Sequence, residues 1–198
     1  MIEELKDILF PAPCLLCGKK PKPLCKDCEP VFAISQDSDN TFYAIGLDES
    51  MGKLFRALKD NNRTALLGVF AKGLRPSLKV AIDRCDPTLL VCPPSSRKNF
   101  RKRGLNPAFE LLKRAAPPNM RTTQRALSHL RQPRDQRELD QAERAQNLEG
   151  LYRVNIKEAR VLLVDDVKTT GATLHSATQA LEEAGVEVVG SCVLAKRI

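Results

Sequence analysis

Four apolar residues, Val161-Leu162-Leu163-Val164, run straight into an acid pair, Asp165-Asp166, and the chain then passes through Val167-Lys168-Thr169-Thr170-Gly171-Ala172-Thr173 into a helical pattern. A run with no polar residue on either side suits a strand covered on both faces, and such strands belong to parallel sheets flanked by helices. Leu174, Ala177, Leu181 and Ala184 mark the buried stripe of the following helix, with Gly185 as its C-cap. Val186 to Leu194 reads as a closing strand. This one segment already constrains the chain to an α/β fold.

The remainder agrees with it. Thr41 to Gly46 and Thr88 to Cys92 read as further strands. Met51, Leu54, Phe55 and Leu58 repeat at helical spacing, with Lys53, Arg56 and Lys59 facing outward. A second helical pattern, containing Leu66, Leu67, Phe70 and Leu74, spans about 64–81, and Pro76 is expected to kink or interrupt it. Ile2, Leu5, Ile8 and Leu9 predict a short helix before Pro11. Residues 95–103 read as a basic loop, Pro107 starts a helix that Pro117-Pro118 ends, and the arginine-rich 121–148 reads as a mobile excursion. Strands alternating with helices argue a parallel sheet. The expected organisation is a module over 1–35 and a larger domain over 36–198, with a basic excursion at 95–148.

The acid pair and the turn after it carry chemistry. A strand–turn–helix presents free backbone N–H groups and the positive helix end at one point, which suits a phosphate. Thr169, Thr170 and Thr173 add hydroxyl donors, and Gly171 lets the backbone approach closely. Two carboxylates beside a phosphate must face something else, either sugar hydroxyls or a magnesium ion. A five-carbon sugar phosphate satisfies both halves.

Cys14-x-x-Cys17 and Cys25-x-x-Cys28 form two identical pairs. Two such pairs complete a tetrahedron of thiolates, a closed structural zinc site with no position left for substrate. The spacing leaves an iron–sulfur cluster open, and disulfides suit a reducing compartment poorly. About 35 residues bury too little core to fold unaided, so a metal would supply the missing stability. Lys19, Lys20, Lys22 and Lys26 surround the quartet, whereas Cys85, Cys92 and Cys192 lie in apolar stretches and read as core residues.

Charge is unevenly distributed. From Arg97 to Arg144 there are 13 Lys/Arg and 5 Asp/Glu, whereas the rest of the chain holds 19 of each. A concentrated positive patch draws polyanions in a salt-dependent way. Two histidines and no tryptophan exclude a multi-histidine metal site and a tryptophan stacking platform. No stretch is long and apolar enough to span a membrane, and the acidic start MIEELKD is unlike a secretory leader, so the expected location is cytoplasmic.

VLLVDDVKTTGAT (161–173) resembles the phosphoribosyl-pyrophosphate signature of type I phosphoribosyltransferases. The resemblance implies that Asp165 and Asp166 bind ribose hydroxyls with magnesium nearby, and that Lys168, Thr169, Thr170, Gly171, Ala172 and Thr173 hold the 5′-phosphate. With the cysteine quartet, MGKLFRALK (51–59), RKRGLNP (101–107) and the spacing Gln136-x-x-Leu139…Glu143-Arg144-x-x-Asn147, the chain is similar to the ComF/GntX group of competence-associated proteins. That similarity implies a type I phosphoribosyltransferase-like parallel sheet flanked by helices, with a small N-terminal zinc-ribbon module. It further implies a role in DNA uptake at the inner face of the membrane, with single-stranded DNA, a phosphoribosyl-pyrophosphate-type ligand and DNA-uptake machinery proteins as partners. In transferases the region corresponding to Val91–Ser96 grips pyrophosphate, so Arg97, Lys98, Arg101, Lys102 and Arg103 are candidates for either pyrophosphate or nucleic acid. The alternative is an active phosphoribosyltransferase of nucleotide metabolism or salvage, and a third reading is a factor that only binds nucleotides. No residue is singled out as catalytic.

Overall fold

The computed structural model describes residues 13–19, 22–61, 63–130 and 151–198. Ile2, Leu5, Ile8 and Leu9, Lys20, and the motif residues Gln136, Leu139, Glu143, Arg144 and Asn147 lie outside the described residues. The elements in chain order are β1 (Ser35–Gln36), β2 (Thr41–Gly46), α1 (Glu49–Asp60), α2 (Leu66–Cys85), β3 (Leu89–Val91), α3 (Arg97–Arg103), α4 (Pro107–Ala115), β4 (Thr122–Thr123), β5 (Leu127–His129), β6 (Tyr152–Val154), β7 (Arg160–Lys168), α5 (Ala172–Glu183) and β8 (Glu187–Lys196).

One sheet has the order β1-β2-β8-β7-β3-β4 and is parallel except for the antiparallel edge strand β1. The apolar run 161–164 lies at its centre, fully buried. Residues of β7 alternate between two cores. Leu162 and Val164 join α1, α2 and α4 on one face, and Val161 and Leu163 join α5 on the other. The step from β7 to β8 runs opposite in direction to the steps from β2 to β3 and from β3 to β4. Right-handed crossovers then require helices on opposite faces, which is the arrangement found. The connections diverge between β7 and β3, and the crevice at the carboxyl ends of those strands is where such sheets hold ligands.

Local chemistry explains most boundaries. Asp48 caps α1 by accepting from the Met51 N–H at 2.7 Å. Pro76 does not interrupt α2, which runs unbroken for 20 residues. The proline sits on the exposed face, where water can satisfy the carbonyl it leaves without a donor. The expected basic loop at 95–103 is instead helix α3, capped by Ser96, whose hydroxyl accepts from the Asn99 N–H, and ended by Gly104 at φ 71°. Helix α5 ends at Glu183, and Ala184 is exposed rather than in the buried stripe. Gly185, at φ 76°, reverses the chain so that Gly185 and Val186 donate to the carbonyls of Glu182 and Leu181. The described part of the expected excursion is structured. β4 extends the main sheet, and β5 pairs with β6 in an antiparallel ribbon.

The cysteine segment is anchored to the sheet domain. Leu15, Leu16, Leu24 and Phe32 pack against the core formed by α1, α2 and α4. Gly73 of α2 makes room for Phe32, since a Cβ there would lie 2.5 Å from the phenyl ring.

Candidate functional site

A cleft of about 660 Å³ opens at the carboxyl ends of β2, β3 and β7. Its floor is the end of β7, where the strand extends past the apolar run to carry Asp165, Asp166, Val167 and Lys168. The Asp166 N–H donates to Asp165 Oδ1 at 2.8 Å, and Lys59 Nζ donates to Asp166 Oδ1 at 2.8 Å. The Asp166 side chain is only 6% exposed, so this ion pair is shielded from water. Burial, then the charge of Asp166, raises the Asp165 carboxyl to about 7, with Lys59 pulling the other way. Lys59 therefore does not face outward as its place in α1 suggested. It reaches the acid pair with Nζ 5.7 Å from the Phe55 ring centre, and Arg103 Nε donates to its carbonyl at 2.7 Å.

Thr169 and Thr173 line the same cleft, beside the start of α5. Gly171 takes φ 78°, a conformation that a side chain would strain. Thr170 is exposed, and its hydroxyl accepts from the Ala172 N–H at 3.4 Å. Lys168 lies in the same segment, but its amine is drawn elsewhere. It donates to Asp37, Asp39 and Thr41, each at 2.9 Å, and the side chain is 10% exposed.

The opposite wall is the turn after β3. Pro93 and Pro94 have no N–H, and both of their carbonyls are tied down. The buried Asn106 donates to the Pro93 carbonyl at 3.1 Å, and His129 Nε2 lies 3.0 Å from that of Pro94. Burial lowers the His129 pKa, so the ring is neutral at pH 7 and donates from Nε2. Its Nδ1 is buried and has no hydrogen-bond partner among the described residues. Tyr152 stacks beside it with ring centres 5.2 Å apart. Sequence reasoning missed Lys59, His129 and Asn106 as site residues. Asn106, within RKRGLNP, and Lys59, at the end of MGKLFRALK, had left a signal, whereas His129 had left none.

The five basic candidates divide. Lys98 and Arg103 line the cleft, whereas Arg97, Arg101 and Lys102 lie on the exposed surface of α3. Lys102 Nζ lies 3.5 Å from Asp60, and Arg103 is only 12% exposed.

None of the seven cysteines is in a disulfide. The Sγ atoms of Cys14, Cys17, Cys25 and Cys28 lie within 4.8 Å of one another, with Cys17 and Cys25 at 3.6 Å. Sulfurs about 2.3 Å from a single ion at a tetrahedral centre stand about 3.8 Å apart, so the quartet fits one metal ion. An iron–sulfur cluster interposes several atoms and holds its thiolates further apart. The acid pair is different. Asp166 already accepts from an ammonium at Oδ1, 2.8 Å away, and that fixed positive charge repels a divalent ion from the pair. The pair does not fit a resident magnesium. Cys85, Cys92 and Cys192 are buried as expected, and burial raises the Cys92 thiol well above its usual value.

Among the described residues, no helix is long and apolar enough to cross a membrane. No curated protein sequence matches the chain. Among solved structures, the adenine phosphoribosyltransferases of Leishmania tarentolae and Leishmania donovani are each similar at 14% identity and a TM-score of 0.38, over 83% of this chain and 94% and 86% of theirs. The Trypanosoma brucei adenine phosphoribosyltransferase, solved with AMP, pyrophosphate and ribose-5-phosphate, is similar at 14% identity and a TM-score of 0.43, over 83% of this chain and 86% of its own. Residues 108–198, which contain the acid pair, the threonine turn and α5, match the family model of the phosphoribosyl transferase domain. This α/β chain with a mostly parallel sheet thus has a phosphoribosyltransferase-type fold.

Proposed function

We propose that the cleft binds a phosphoribosyl-pyrophosphate-type ligand, and that the chain uses it in DNA uptake as a ComF-type protein of the cytoplasm, working at the inner face of the membrane. The supporting observation is the acid pair at the end of β7 facing the same cleft as Thr169, Thr173 and the start of α5. Asp165 would accept from ribose hydroxyls. The 169–173 turn would hold the 5′-phosphate through backbone N–H groups and threonine hydroxyls. Lys98 and Arg103 would face the pyrophosphate end. Magnesium belongs to the ligand, on its pyrophosphate, and no step is assigned to it at the acid pair. The cysteine quartet would hold a structural zinc that stabilises the N-terminal module.

Single-stranded DNA would lie along α3, where Arg97, Arg101 and Lys102 are exposed beside Phe100, itself 46% exposed. Such a surface combines charge neutralisation with one stacking platform. Proteins of the DNA-uptake machinery would then be its partners. The test is differential scanning fluorimetry with phosphoribosyl pyrophosphate. Ligand that binds only the native state raises Tm, and Asp165→Asn with Asp166→Asn should abolish the rise. A double variant that keeps the full rise would place the ligand elsewhere.

One observation favours a second reading, an active phosphoribosyltransferase. Lys98 and Arg103 line the cleft that holds the acid pair, and two cations there suit stabilising the charge of a departing pyrophosphate. Release of pyrophosphate from phosphoribosyl pyrophosphate in the presence of a nucleobase would decide for it.

A further inference from the structure

Asp165 and Asp166 are adjacent near the end of β7. They are not equivalent. Asp166 is almost fully buried and ion-paired with Lys59 at 2.8 Å, whereas Asp165 is partly exposed on the cleft. Lys59 comes from the last turn of α1, remote in sequence from both the strand and the turn that hold the candidate ligand groups. Its backbone is fixed by Arg103, and its side chain, 30% exposed, lies along the cleft wall above Phe55. An ammonium has three N–H donors. Among the described residues its hydrogen-bonding partner is Asp166, which leaves donors to face an anion in the cleft.

We propose that Lys59 is a tethered cation of the ligand site, which neutralises Asp166 in the structure and also engages the anionic oxygens of a bound sugar phosphate. The cleft would then take its ligand with no divalent ion bridging it to the acid pair. This rests on the reading that the cleft binds a sugar phosphate. Two consequences follow from geometry alone. A lysine already placed against Asp166 competes with any divalent ion for that carboxylate, so removing it should create a metal site that the wild type lacks. The same change should weaken binding of an anionic ligand, because a charge-assisted donor is lost while an unpaired buried carboxylate is left behind.

The probes are ribose 5-phosphate, followed by titration calorimetry in buffer freed of magnesium, and Mn²⁺, followed by electron paramagnetic resonance. Both are applied to the full-length, metal-loaded chain and to the variants Lys59→Met, Lys59→Arg and Lys59→Met with Asp165→Asn. Wild type should bind ribose 5-phosphate without added divalent ion. Lys59→Met should bind it at least tenfold more weakly, and Lys59→Arg within about threefold of wild type, given the usual strength of a charged hydrogen bond. Lys59→Met should also acquire one Mn²⁺ site that disappears when Asp165 is changed as well. Equal ribose 5-phosphate affinity in wild type and Lys59→Met would overturn the proposal, as would wild-type binding that requires magnesium. If wild type binds no ribose 5-phosphate with or without magnesium, the sugar-phosphate reading fails instead. The Mn²⁺ comparison still judges Lys59 in that case: an unchanged Mn²⁺ response in Lys59→Met refutes its role as the competing cation, and the new site upholds it. Should Lys59→Met not fold, Lys59→Gln serves for both measurements with the same expected outcomes.

Discussion

Replacing Asp165 by Asn should stabilise the protein, by an amount that grows as pH rises from about 4 to 7. The carboxyl is raised from 3.8 to about 7 by burial and by Asp166. A group whose native pKa lies above its unfolded value takes up protons on folding, so its contribution is favourable at low pH and is lost as pH climbs from about 4 through 7. At about 1.4 kcal/mol per pH unit of separation, holding this carboxylate ionised costs the native state about 4 kcal/mol at pH 8. Asn keeps the shape and the oxygen that accepts the Asp166 N–H, and it cannot ionise. The attraction to Lys59 is already contained in the value of about 7, so the expected stabilisation is about zero below pH 4, about 2 kcal/mol at pH 5.5 and about 4 kcal/mol at pH 8.

Neighbouring groups do not obscure this window. Tyr152 and Cys92 are both pushed upward and stay neutral throughout. Asp37, Asp39 and Glu49 are lowered, so their contributions are essentially complete by about pH 5.5, where the window opens. His129, lowered by burial, makes both proteins gain stability as pH rises towards 6.5, and it cancels in the comparison. The assay is urea denaturation of wild type and Asp165→Asn, with metal bound, at half-unit steps from pH 5.5 to 8. A stability difference that stays constant across that range would refute the reasoning.

Gly171→Val should lower stability by about 1 to 2 kcal/mol, because φ is 78° and Lys168 Cε would lie 3.2 Å from the new Cβ. Urea melts check this, and the phosphoribosyl-pyrophosphate rise in Tm should shrink with it. Cys14→Ser should remove about one zinc per chain by elemental analysis and should also lower the Tm of the whole chain, since Leu15, Leu16, Leu24 and Phe32 are packed on the main core. If Arg97, Arg101 and Lys102 contact DNA, changing all three to Ala should reduce the slope of log affinity for single-stranded DNA against log salt by about 2, at about 0.7 per phosphate. An unchanged slope by fluorescence anisotropy would remove α3 from any DNA surface.

The centre of the sheet was legible because one run, 161–164, is apolar at four consecutive positions and so supplies both faces of a strand. The stripe of α1 was legible for the same reason, as periodicity reports what a helix buries. Periodicity is silent about what a polar side chain reaches. Lys59 sits at an outward-looking position of α1 and nevertheless extends to Asp166, 107 residues away in sequence. His129 and Asn106 become site residues only when β5 and α4 bring them to the carbonyls of Pro93 and Pro94. Helix α3 was missed because seven residues, five of them basic, bury nothing and leave no stripe. Lys168 was grouped with the phosphate turn by sequence adjacency, whereas strand alternation sends its amine to Asp37 and Asp39.

The strand order also sets a timetable for folding. The two longest strands among the described residues, β7 and β8, occupy the middle of the sheet and follow β2 and β3 in the chain. Until about residue 196 has emerged, β2 and β3 have no partner between them, and α2 has only half a surface to cover. Synthesis therefore leaves the apolar strands 41–46 and 89–91 exposed until β7 and β8 emerge, when the long-range contacts close together. Folding of this kind is slow and prone to association beforehand. A chain shortened by its final strand should fail as a whole rather than lose one edge.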